Sequence, residues 1–285
     1  MHLSSSGIPI FPVVILLCSS LVSACTARTL DATTDSTTNI SATALDSRLS
    51  TVSDDALLAR ADGVSRLNAT VDELQSALQD YDELGRRIHS GESSFNSYDV
   101  HWRQARALFL LQELTSAKAP KMTWITAGEQ AAAAAMADCS ICVEGYYYAA
   151  VLKGRRAEHS GIGFKALKLV KEVLALGKKA AQIDASFDNA APLRLLAMLY
   201  ASAPSWPTSV GDIDLALETA ERAIQISDYP MNHLIMAEVL LADEAINDAR
   251  RELQRVLSAP IGGRWADESG FWRPYAEKLL TEIAD

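Results

Sequence analysis

Late in the chain, one set of small and apolar residues returns at a fixed interval. Ala216, Ala220, Ala223 and Ile224 are followed by Ala249, Leu253, Val256 and Leu257, each displaced by 33 positions. Inside each set the steps are four, three and one, which places all four residues on one face of a helix. Helical segments that repeat at this interval, each with one apolar face, cover one another only by stacking in pairs. From Ser53 onward the same period recurs in ten or eleven segments, separated by short polar or proline-containing breaks. The pattern predicts an all-α chain, an α-solenoid of helix pairs. Composition agrees: 45 of 285 residues are alanine against 14 glycines and 9 prolines, which suits close-packed helices and is poor for turn-rich sheets.

The small–large order within each pair resembles the tetratricopeptide pattern, in which a small residue on the first helix faces one on the second. Ala237 and Ala249 form such a pair, and Ala197 and Ala216 form the one before it, with seven extra residues at Pro204 to Val210. Upstream, Tyr147-Tyr148-Ala149-Ala150 resembles a first helix and Ala180-Ala181-Gln182-Ile183-Asp184 the end of its partner, with a long connection over 157–165. Segments 101–114 with 122–137, and 56–67 with 71–88, make two earlier pairs. The segment 271–283 is a cap for the last apolar face. The five alanines from Ala131 to Ala135 allow close helix approach.

Ahead of the helices lies a different kind of sequence. An apolar run from Ile8 to Leu17, interrupted by Pro9 and Pro12, passes through serines into Leu21-Val22-Ser23-Ala24-Cys25. The run is too short for a spanning helix, which needs about 20 apolar residues, and it reads as an export signal. Its end resembles the bacterial lipoprotein signal, in which the cysteine becomes the acylated N-terminus; the competing reading is an ordinary secretory signal with an incidental cysteine. No Lys or Arg precedes Arg28. The division is then a signal peptide over 1–24, a lipidated Ser/Thr-rich tether over 25–52 and a helical repeat domain over 53–285. Acyl chains such as palmitate on Cys25 would anchor a body that does not span. Thr26 rather than aspartate after the cysteine implies, by resemblance to other lipoproteins, sorting to the outer membrane, facing the periplasm. With Cys18 removed and Cys25 lipidated, Cys139 and Cys142 remain, as a structural disulfide or two inert thiols.

Two stretches resemble the TatT family, the tetratricopeptide lipoproteins that form the T component of TRAP transporters. One runs Ala191-Pro192-Leu193-Arg194-Leu195-Leu196-Ala197-Met198-Leu199-Tyr200 and continues through Ala203-Pro204-Ser205-Trp206-Pro207-Thr208-Ser209-Val210-Gly211-Asp212. The other is Tyr229-Pro230-Met231-Asn232-His233-Leu234 with Ala237-Glu238-Val239-Leu240-Leu241. The resemblance covers about residues 120 to 260, and the Pro-x-Trp-Pro-x-Ser-x-Gly-Asp insert is its most specific part. It implies association with a periplasmic solute-binding protein, delivery of small apolar or organic-acid ligands, and a trimer with an apolar central pore.

The candidate binding residues are Tyr147, Arg194, Tyr200, Trp206, Asn232 and His233. Two prolines three apart force the 204–212 insert out of the helical stack, so Trp206 is either an aromatic wall for a ligand or partner or a plug folded over neighbouring helices. The residues Ser209-x-x-Asp212 read as a helix cap. Arg194, on an apolar helix, either binds a carboxylate or pairs with Asp188 or Glu218. Asn232 and His233 open a first helix, where polar side chains line a binding face or cap a turn. Tyr146, Tyr147 and Tyr148 point in three directions, which leaves most of them to packing.

The net charge of −10 repels phosphate backbones and gives no reason to expect nucleic acid. Nothing in the chain matches His-Glu-x-x-His, Gly-x-Ser-x-Gly or a phosphate-cradling glycine loop, and the Cys-x-x-Cys lacks the further ligands of a zinc site. The sequence therefore predicts a non-enzymatic protein without cofactor or metal. A general tetratricopeptide scaffold for envelope assembly is the alternative to the transporter reading.

Overall fold

The computed structural model describes residues 52–161, 163–261 and 268–284; the signal segment, Cys25 and the tether lie outside them. The described chain divides into two compact units, 52–139 and 140–284. Both are built from helices, and no strand occurs among the described residues.

The first unit holds α1 (Asp54–Val64), α2 (Val71–Ser90), α3 (Ser97–Leu114) and α4 (Lys118–Asp138). Local chemistry sets their ends. Ser53 caps α1, Asn96 caps α3, and Thr70 with Glu73 forms a reciprocal capping box on α2. Gly91 ends α2 at φ 75°, a left-handed conformation that glycine adopts without strain. Leu57 and Ala61 pack with Ala77, Tyr81 and Leu84 of α2 and with Val100 and Ala107 of α3. On α4 the buried stripe is Ile125, Gly128, Ala132 and Ala135, so the alanine run does bring two helices close together, as α4 packs extensively on α3. Charged side chains tie the helices from outside. Asp62 of α1 accepts hydrogen bonds from Tyr81 Oη at 2.8 Å, Arg103 Nε at 2.9 Å and Arg106 Nη2 at 2.8 Å. Arg86 and then Arg87 hold the Glu83 carboxyl down to about 2.

The second unit holds α5 (Val143–His159), α6 (Phe164–Ile183), α7 (Phe187–Ser202), α8 (Ile213–Ile226), α9 (Pro230–Ala242), α10 (Ile246–Ser258) and α11 (Ser269–Glu282). A disulfide joins Cys139 to Cys142 at the turn leading into α5. Helices pair as α5–α6, α7–α8 and α9–α10, and the first helices contact one another in series, α5 with α7 and α7 with α9. α11 covers α10 and α9. This is the tetratricopeptide arrangement that the repeat predicted. Ala197 with Ala216, and Ala237 with Ala249, are fully buried, as are Leu253 and Val256, the residues one repeat beyond Ala220 and Ala223. The connection expected to be long, over 157–165, is short, because α5 runs to His159 and α6 begins at Phe164.

One junction departs from regular geometry. At the start of α7, Asp188, Asn189 and Ala190 all have positive φ, 45°, 55° and 68°. Asp and Asn tolerate the left-handed region; alanine there is strained, and only surrounding contacts can hold it. Pro192 follows within the first turn of the right-handed helix, where the lost N–H has no cost.

Candidate functional site

The left-handed turn explains two of the candidate residues. Arg194 donates to the carbonyl of Asn189, to that of Asp188 at 3.0 Å and to Asn232 Oδ1 at 3.0 Å. Its guanidinium lies 5.1 Å from the Tyr229 ring and 4.0 Å from the Asp188 carboxylate. Asn232 is fully buried and its amide donates to the carbonyls of Asn189, Ala223 and Ser227, at 3.1, 3.1 and 2.8 Å. One side chain from α9 thereby closes the C-terminal end of α8 and the start of α7 together. Buried backbone carbonyls need such partners, and here Arg194 and Asn232 supply them. Burial and the neighbouring Glu268 carboxylate, 2.6 Å from its hydroxyl, raise the Tyr229 pKa.

His233 lies beside this hub with both ring nitrogens engaged. Nδ1 is 2.6 Å from Glu252 of α10 and Nε2 is 2.7 Å from Asp228. Glu252 foremost, with Asp228, raises the histidine pKa, because two carboxylates favour the imidazolium that donates to both. The ring links the start of α9 to α10.

Tyr200 is buried in the core with Leu196, Ala197, Ala216 and Ile235. Tyr147 is half-buried, edge-on to Tyr148 at 5.2 Å and to Phe187 at 5.5 Å. Trp206 differs from the other candidates: it is 84 % exposed. Its loop is nevertheless tightly built. Gly211 N donates to Pro204 O at 3.0 Å, Thr208 N to Ser205 O at 3.0 Å, and Asp212 N back to Tyr200 O at 3.0 Å. A Cβ on Gly211 would collide with Ala203 O, so this close approach requires glycine. The reading of Ser209 as the start of the cap is corrected. Asp212 itself is the N-cap, accepting from Leu215 N at 3.0 Å, while the Ser209 hydroxyl is buried in the loop.

A further polar group carries no motif. Glu238 of α9 is 3 % exposed; Tyr275 of α11 donates to its Oε1 at 2.5 Å, and its Oε2 has no hydrogen-bond partner among the described residues. Burial pushes this carboxyl up to about 8, so at neutral pH it is largely a neutral acid.

Chemically, these groups hold helices together. Among the described residues no group of three or more His, Cys, Asp and Glu side chains is arranged to bind a metal ion, and no described helix is long and apolar enough to cross a membrane. The fold is similar to the crystal structure of TTC0263, a thermophilic TPR protein in Thermus thermophilus, with a TM-score of 0.57 and 14 % identity over 80 % of this chain and 100 % of that one. No protein-family model matches the chain, and no curated protein matches its sequence. Among the described residues the fold is all-α and built of tetratricopeptide-like helix pairs.

Proposed function

We propose that this chain is a non-catalytic, lipid-anchored tetratricopeptide adaptor of the bacterial envelope. It faces the periplasm from the outer membrane and engages the solute-binding protein of a TRAP transporter. The support for the non-catalytic part is that the polar atoms of Arg194, Asn232 and His233 are taken up by neighbouring helices, so these candidates hold the repeat together and recognition falls to the exposed surface. The anchor rests on Leu21 to Cys25. The transporter partner, a trimeric assembly and carriage of small apolar or organic-acid ligands rest on the TatT resemblance, whose most specific part, the 204–212 insert, folds into an ordered loop presenting Trp206.

The test is affinity purification of the full chain from envelope extracts, followed by identification of what is retained. A periplasmic solute-binding protein at stoichiometric recovery supports the proposal. Its consistent absence, with envelope-assembly proteins retained instead, favours the general scaffold. Cys25→Ser is expected to move the protein from the membrane to the soluble fraction. Unchanged membrane association would contradict the anchor. Native mass spectrometry of detergent-free protein reads out a bound small molecule directly.

A further inference from the structure

Tetratricopeptide-like pairs are antiparallel, so the connections within pairs emerge at one edge of the unit and those between pairs at the other. Phe164, the first residue of α6, follows the α5–α6 connection, and Trp206 stands in the α7–α8 connection. They belong to the same edge. Packing between α6 and α7 fixes their height. Ala181 packs with Ala190 and Leu193, and Gly177 faces Leu195 and Leu196. From Gly177, Phe164 is 13 residues back along α6, about 20 Å at 1.5 Å per residue, whereas the last residue of α7, Ser202, is 6 residues beyond Leu196, about 9 Å. The first turn of α6 therefore projects roughly 10 Å past the end of α7, at the level where the Trp206 loop stands. Both aromatics are open to solvent, Phe164 at 93 % and Trp206 at 84 %.

Charge accompanies them. In a chain of net charge −10, α6 has five lysines and one glutamate. That glutamate, Glu172, is paired with Lys153 at 2.9 Å. Lys165, Lys168 and Lys171 are exposed and follow Phe164 down one face of the helix at steps of three. Aromatic side chains beside a lysine row are the chemistry that seats a protein on anionic lipid, the rings at headgroup depth and the cations above the phosphates. Along the same edge, Asp212 and Asp214 open α8 beside the Trp206 loop, and Asp243 and Glu244 of the α9–α10 turn are followed by Asp248 at the start of α10, which limits the cationic part to the first turns of α6.

We infer that the edge formed by Phe164, Trp206 and Lys165, Lys168 and Lys171 rests on an anionic phospholipid surface. The anchored reading of Cys25 supplies the nearby membrane; the surface that meets it is independent of any acyl chain. Contact there would orient the repeat on the bilayer and keep its row of first helices available to a protein.

Vesicle flotation tests this with the chain from residue 25 carrying Cys25→Ser, which has neither leader nor acyl group. Vesicles of phosphatidylethanolamine with phosphatidylglycerol are compared with phosphatidylcholine alone. Binding to the anionic vesicles is expected, at least tenfold above the neutral ones, and it should weaken at 0.5 M salt. F164A/W206A is expected to lower it at least tenfold, and K165E/K168E/K171E by about fivefold for each lysine. All these side chains are exposed, so circular dichroism and thermal unfolding should be unchanged. At the other edge, I141A with K178E/K179E should leave binding as it was. Equal binding to both vesicle types, no effect of the aromatic pair, or loss only in the other-edge variant would overturn the inference. So would F164A/W206A abolishing capture of a solute-binding protein while sparing the vesicles, since the edge would then be a protein contact. Failure of Cys25→Ser to release the native protein would instead count against the anchor alone.

Discussion

Glu238 offers the most quantitative test of how the C-terminal helix is held. Its carboxyl is buried between α9 and α11, with one oxygen accepting from Tyr275 and the other unpartnered among the described residues. Burial raises its pKa from 4.5 to about 8. Below pH 4.5 both folded and unfolded chains hold the proton. Between 4.5 and 8 only the folded state holds it, so stability falls as pH rises, by about 1.4 kcal/mol per unit, and levels off above the folded value. At pH 7 the accumulated cost is about 3 kcal/mol. Glu238→Gln resembles the neutral acid in shape and keeps the acceptor for Tyr275. It should therefore be more stable than the wild type by about 3 kcal/mol at pH 7, or roughly 6–12 °C in Tm for a unit of this size. The difference should shrink below about 1 kcal/mol at pH 5. Denaturant titrations at pH 5, 6, 7 and 8 measure it, and hydrogen exchange of α11 amides shows whether the effect sits in that helix. A difference that does not vary with pH, or a glutamine variant less stable at pH 7, would refute the reasoning.

Three further outcomes follow from the same contacts. His233 has a raised pKa, so its contribution is complete below 6.5 and is lost as pH rises through the folded value; His233→Gln should flatten the loss of stability above pH 6.5, and a profile identical to wild type would count against the paired imidazolium. Gly211→Ala forces a Cβ against Ala203 O, with an expected cost of about 1–3 kcal/mol and a change in Trp206 fluorescence; an unchanged spectrum and Tm would mean that the loop tolerates the side chain. Asp62→Ala removes the acceptor shared by Tyr81, Arg103 and Arg106, at an expected cost of about 1–2 kcal/mol in chemical denaturation after allowing for solvent screening, and a loss under about 0.3 kcal/mol would show these to be surface pairs of no consequence.

The repeat was legible because burial and spacing are the same fact seen twice. Ala216, Ala220 and Ala223, and their counterparts 33 residues later, are the residues that pack between helices, and small side chains at helical spacing announce this without any tertiary information. The protruding insert was equally legible, since prolines cannot continue a helix. The polar hub was not. Arg194 was open to a partner in Asp188 or Glu218, and its guanidinium does lie 4.0 Å from the Asp188 carboxylate, but its hydrogen bonds go to the backbone carbonyls of Asp188 and Asn189 and to Asn232 Oδ1. Those carbonyls point its way because three residues in succession are left-handed, and Ala190 gives no local sign of that. Asn232 acts 43 residues from Asn189, a pairing that periodicity does not encode. The position of Phe164 needed the register between α6 and α7. Glu238 did have a signal, a lone carboxylate inside the apolar run Leu234 to Leu241, although its partner on α11 required the fold.

Recovery of a specific partner tests the central claim most directly. The full chain, cross-linked in intact cells and purified from envelope extracts, is predicted to bring down a periplasmic solute-binding protein in near-stoichiometric amount, and to do so equally after Glu238→Gln, which leaves the surface unchanged. Purifications that repeatedly yield the chain without such a protein, from cells in which the receptor is demonstrably expressed, would contradict the account.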